Sequence, residues 1–141
     1  MNEMTETGET LGEQTDADTL IYKFATLACS LVEAGKQRGA CDAASVEEKR
    51  EQPEMIYDFS PDDDESARLY ILPDGLFQGV FETPDFCVGM EVAYNFARAD
   101  AIRVRLAHFS GKMETALNWA FKVQDVLDDM LVDGFEQGAE Q

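Results

Sequence analysis

His108 is the only histidine in the chain, and with Cys29, Cys41 and Cys87 it makes up the whole stock of soft metal ligands and ready nucleophiles. A structural zinc site draws its ligands from close pairs, roughly two to five residues apart. The gaps between these four residues are much wider, so no zinc site is predicted. A thiol nucleophile needs a neighbouring base, and the spacing pairs neither Cys87 nor another cysteine with His108. In the segment AIRVRLAHF (101–109) alternation puts His108 on the apolar side with Val104 and Leu106. It is expected there as a hydrogen-bonded core residue. Three cysteines, odd in number and far apart, read as free thiols in a reducing compartment.

The acidic run Asp62-Asp63-Asp64-Glu65 raises the question of hard-cation binding. An EF-hand loop begun at Asp58 would need glycine at its sixth position and glutamate at its twelfth. Those positions hold Asp63 and Leu69, and the pattern fails. A solvated turn is the expected structure. The phosphate-cradling glycine loops, GxGxxG and the P-loop, do not occur. Among 29 acidic residues some carboxylate pairs arise by chance, so a catalytic pair cannot be picked out. No cofactor and no metal are predicted, and the chain is read as non-enzymatic.

What remains is charge. Asp and Glu number 29 against 11 Lys and Arg, a net charge of -18. Six acids and no base fall in residues 1–18, ten acids against two bases in 39–66, and seven acids against one base in 113–141. Residues 67–112 hold five of each sign. Such a distribution repels nucleic acid and anionic membrane and attracts basic partners. Arg103 and Arg105 share a face, but their neighbours build no basic stripe, so direct nucleic-acid binding is not expected. No apolar run reaches the roughly 18–20 residues of a membrane span. The N-terminus lacks the apolar stretch of a signal peptide, and the cytoplasm is the expected location.

Positioning any binding face requires a fold, and the pattern gives one. Residues 1–15 read as a disordered acidic tail, and 16–134 as a single domain followed by a frayed end at 135–141. A first helix is expected to start at Asp16 or Asp18, with Leu20, Ile21, Phe24, Leu27, Ala28, Leu31 and Val32 on one face and Gly35 as its stop. A short helix capped by Asp42 precedes Pro53. Strands follow at 55–60, 67–72 and 76–82, with Pro73-Asp74-Gly75 as a tight turn. In the next pair, Val88, Met90, Val92, Tyr94 and Phe96 alternate with polar or small residues, as do Ile102, Val104 and Leu106. A three-residue loop at Arg98–Asp100 pairs Val92 with Leu106 and Met90 with His108. In that register Arg103 faces Asn95, Arg105 faces Ala93, and Glu91 lies diagonal to Arg105. Ser110 is expected to cap a last helix over about 111–131. The fold class is α+β: an antiparallel meander of four to five strands packed with an N-terminal and a long C-terminal helix.

On the last helix, Met113, Ala116, Leu117, Ala120, Val123, Leu127 and Leu131 form the stripe expected to cover the sheet. Trp119, Val126 and Met130 extend the apolar surface along one flank, a possible homodimer seam. Glu114, Asp125, Asp128 and Asp129 lie on the other side. With Asp62, Asp63, Asp64 and Glu65 they form the expected partner-binding surface for a basic protein. The function read from the sequence is an acidic protein-binding module, an adaptor or inhibitor. The alternatives are a DNA-mimic inhibitor of a restriction or CRISPR-like defence system, similar to that class only in size and charge, and a small enzyme without a known motif.

Overall fold

The apolar spacing of the first helix places one side of it across a five-stranded sheet. The element order is α1 (Asn2–Gln37), α2 (Ala43–Glu47), β1 (Glu54–Asp62), β2 (Glu65–Ile71), β3 (Phe77–Thr83), β4 (Phe86–Asn95), β5 (Asp100–Gly111) and α3 (Met113–Glu140). All strands are antiparallel neighbours in sequence order, the α+β meander expected from tight turns between consecutive strands. This computed structural model describes the backbone of residues 2–140 and the side chains of residues 17–131. The tails expected at 1–15 and 135–141 therefore lie outside the residues described in full.

In α1, Leu20, Phe24, Leu27, Ala28, Leu31 and Val32 are buried and Ile21 is partly buried, and the helix lies on the inner face of the sheet, touching every strand. The helical backbone runs through Asp16 and Asp18 without a break, so neither acts as a cap: no orphan N–H group exists inside a continuous helix. The stop is Gly39, not Gly35. Gly39 takes φ +77, its N–H donates to the Lys36 carbonyl, and the Ala40 N–H reaches back to the Gly35 carbonyl at 2.7 Å. This is a Schellman closure, which requires a left-handed residue at that position. Gly35 serves packing instead, because a Cβ there would lie 3.1 Å from the Cys41 sulfur. Asp42 caps α2 as expected, accepting from the Ser45 N–H at 2.9 Å.

The core is aromatic. Phe24 of α1 meets Phe81 of β3 and Phe86 of β4, with ring centroids 5.2 and 6.0 Å apart. Phe77, Leu69, Ile71, Val88, Met90 and Val92 fill the rest of the inner face. Each fully buried side chain of this kind contributes about 1.5–3 kcal/mol relative to exposure, so this face carries most of the stabilisation.

The β4–β5 pairing differs from the expected register. Val92 faces Val104 and Met90 faces Leu106. Glu91 lies directly opposite Arg105, and Ala93 opposite Arg103. The connection is a four-residue turn, Phe96–Ala99, with Ala99 at φ 52. Two irregularities, between Ala93 and Tyr94 and between Gly89 and Met90, insert Ile102 and Ala107 as extra residues on β5. Each extra residue reverses the alternation. Ile102 is consequently 66% exposed instead of facing the core, and Ala101 stands opposite Tyr94. His108 likewise turns outward, opposite Gly89, and is exposed. The arginines point outward as the alternation predicts, and Arg105 donates to Glu91 at 2.7 Å.

The closing helix also departs from expectation at its start and in its neighbour. Ser110 belongs to β5, and α3 begins at Met113 after Lys112, whose carbonyl accepts the Ala116 N–H. Ala116, Ala120, Val123 and Leu127 are buried as the stripe requires. They pack chiefly on α1, however, with a smaller contact to β4. One sheet face offers room for one helix along its middle, and α1 holds that place.

Candidate protein-binding face

The acidic side of α3 rests on a stripe that cannot rotate. Ala116, Ala120, Val123 and Leu127 are essentially inaccessible, which fixes the opposite side of the helix toward solvent. Glu114, Asp125, Asp128 and Asp129 are exposed there. Among the described residues none of the four forms an ion pair, although Lys122 shares their helix. Asp128 is held by the Gln124 side-chain amide, which donates to it at 2.7 Å and to the Ser30 hydroxyl of α1 at 2.9 Å. The carboxylate is thereby tied to the α1–α3 seam. A fixed negative field differs from the same charge on a loose chain, because its geometry can be matched by a partner.

The second acidic group sits at the β1–β2 hairpin. Asp63 and Asp64 form its two-residue turn, between Asp62 and Glu65, which pair across the ladder. The Asp62 carboxylate accepts from the Asp63 N–H. Carboxylate oxygens of Asp62, Asp64 and Glu65 come within 4.8 Å of one another. Asp62, Asp63 and Asp64 are exposed and Glu65 is half-buried. Among the described residues no hydrogen bond or ion pair links this turn to the α3 face, and the two groups stand on separate elements.

The apolar flank is divided as well. Trp119 is only 7% exposed and packs against Phe24, Phe81 and Phe86. Met130 is partly buried against the same core, while Val126 stands 45% exposed. The residue that sequence reasoning missed is Phe121, which is 51% exposed on α3. A helical wheel could have found it. At about 100° per residue it falls between Asp128 and Glu114 on the acidic side.

The cysteines are placed for structure. Cys41 is buried and donates to the Val32 carbonyl at 3.2 Å. Burial raises both Cys29 and Cys41 to about 11, with the Asp100 carboxylate adding to the effect at Cys29 and that of Glu33 at both. Cys87 shares the outer sheet face with His108, but its thiol points to the Glu82 carboxylate, and burial and that charge raise its pKa. A raised pKa withdraws the thiolate that nucleophilic chemistry needs. No helix among the described residues is long and apolar enough to cross a membrane. No protein-family model, no curated protein and no solved structure matches this chain.

Proposed function

We propose that the chain is a non-enzymatic protein-binding module, an adaptor or inhibitor, whose α3 face engages a basic partner protein. The observation that carries this reading is the row of exposed carboxylates at Glu114, Asp125, Asp128 and Asp129, unpaired among the described residues, on a helix whose other side is locked in the core. Unpaired surface charge of one sign on a rigid support accelerates encounter with the opposite sign and sets orientation. Residues 67–112, which hold β3, β4, β5 and most of β2, carry five charges of each sign, and this favours recognition through the helix over recognition through those strands.

The test is to immobilise the full chain, identify what it retains at low salt, and titrate each purified candidate directly against ionic strength. A basic protein whose affinity falls steeply between low salt and physiological salt supports the proposal, since exposed charges are screened over about 8–10 Å. A partner bound with no salt dependence overturns it. If the retained protein is a nuclease or other DNA-binding protein and DNA competes for it, the module acts by mimicry of DNA.

A further inference from the structure

Phe121 is out of place on the side of α3 that the core does not touch. It leaves 51% of its surface exposed and forms one wall of a cleft of about 310 Å³ whose other described walls are Met113, Glu114, Leu117 and Asn118. Met113 and Leu117 are partly buried against the core, so the floor is apolar and fixed while Glu114 and Asn118 line it with polar groups. Asp125 follows Phe121 by one helical turn, and Asp128 by two. The ring already accepts a cation, because the Lys23 ammonium lies 4.1 Å from its centroid, the geometry of a cation–π contact.

We infer that Phe121 and its cleft are the anchor point of the acidic face, and that the partner presents an apolar side chain flanked by lysines or arginines. The inference rests on the reading of α3 as a surface for a basic protein and specifies what that protein must carry. Charge complementarity selects the flanking cations, and the cleft selects the side chain between them. Interfaces concentrate their affinity in a few aromatic or apolar anchors, with charged residues around them setting orientation. A purely polycationic segment would satisfy the carboxylates and leave the apolar floor of the cleft at Met113 and Leu117 in water. An amphipathic basic segment satisfies both.

The experiment uses the full chain and two synthetic probes: a helical peptide of alternating leucine and lysine turns, and a peptide of equal charge with every leucine replaced by serine. Affinity is measured by calorimetry at low salt. The leucine peptide is expected to bind about tenfold tighter, a difference of about 1.4 kcal/mol. Phe121→Ser should remove that advantage while leaving the serine peptide unchanged. Val126→Ser, at a comparably exposed apolar residue on another side of α3, should change neither. Phe121→Trp, which keeps a ring, should retain the preference, and thermal melts establish that each variant is folded. If Phe121→Ser leaves the leucine peptide bound as before, or if Phe121→Trp abolishes the preference too, the anchor assignment is overturned. In that event, weakening of both peptides by asparagine at Asp125, Asp128 and Asp129 leaves the acidic-face reading standing by itself. If the asparagine substitutions affect neither peptide, the electrostatic reading falls and the anchor falls with it.

Discussion

The indole of Trp119 lies nearly parallel to the ring of Phe24, their planes 11° apart and their centroids 6.3 Å apart. With Phe81 and Phe86 at its edges, Trp119 is where α3, α1 and the sheet meet. Its indole N–H is buried without a hydrogen-bond partner. Trp119→Ala should therefore cost about 3–5 kcal/mol, the range for deleting a large buried aromatic. Trp119→Phe should cost less than about 1.5 kcal/mol, because it keeps the stacking and removes an unsatisfied donor. Urea denaturation of both variants checks the contrast. Equal losses would mean that the indole's size, not ring stacking, holds the seam.

On the opposite side of α3, asparagine at Asp125, Asp128 and Asp129 together should weaken binding of a basic partner by about tenfold or more at low salt. Stability should stay within about 0.5 kcal/mol of the parent, as is usual for exposed positions. Deleting residues 1–15 removes four acids and should weaken the same binding much less. A larger loss from the deletion, measured by titration side by side, would move recognition to the N-terminal segment.

Two left-handed glycines should respond differently to alanine. A Cβ on Gly39 meets nothing within 4 Å, so Gly39→Ala carries only the backbone penalty, about 1–2 kcal/mol. Gly111 combines φ +107 with an approach that would put a Cβ 2.3 Å from the Asp85 carbonyl. Gly111→Ala should cost clearly more, about 3 kcal/mol or above, since the β3–β4 turn must shift to admit it. Thermal melting of the pair gives the order, and a reversed order would refute the close approach at Gly111.

The thiols give a pH dependence. Cys29 and Cys41 are raised to about 11 by burial and nearby carboxylates, whereas an unfolded cysteine titrates near 8.5. Between these values the folded chain binds more protons than the unfolded one. The thiols' contribution is therefore complete below about pH 8.5 and is lost as pH rises toward 11. Alanine at both positions should flatten the fall in stability over that window. Alkylation at pH 8 should reach Cys41 only on unfolding.

Across the β4–β5 ladder, the Glu91–Arg105 pair has a mostly exposed arginine and a mostly covered glutamate. A double-mutant cycle with Ala should return a coupling of about 0.3–1 kcal/mol, weakening with salt. Zero coupling at low salt would argue against the directly opposed register.

The sequence by itself determined the element types and which side of each helix is apolar. Phe24, Leu27 and Leu31 repeat at helical spacing, and Val88, Met90 and Val92 alternate at strand spacing; both patterns record local geometry, and both sets are buried. Pro73-Asp74-Gly75 similarly marks a turn through backbone preferences that act over three residues, and Gly75 takes φ 87 there. Tertiary structure decided whatever depended on contacts between distant residues. His108 and Ile102 face solvent because two extra residues on β5 change its pairing with β4, and a bulge leaves no mark in the alternation of one strand. Helix α1, not α3, lies along the sheet, since both helices carry an apolar stripe and only packing chooses between them. The same choice buried Trp119 and left Phe121 in water, because both are aromatic residues of one helix, two positions and about 200° apart.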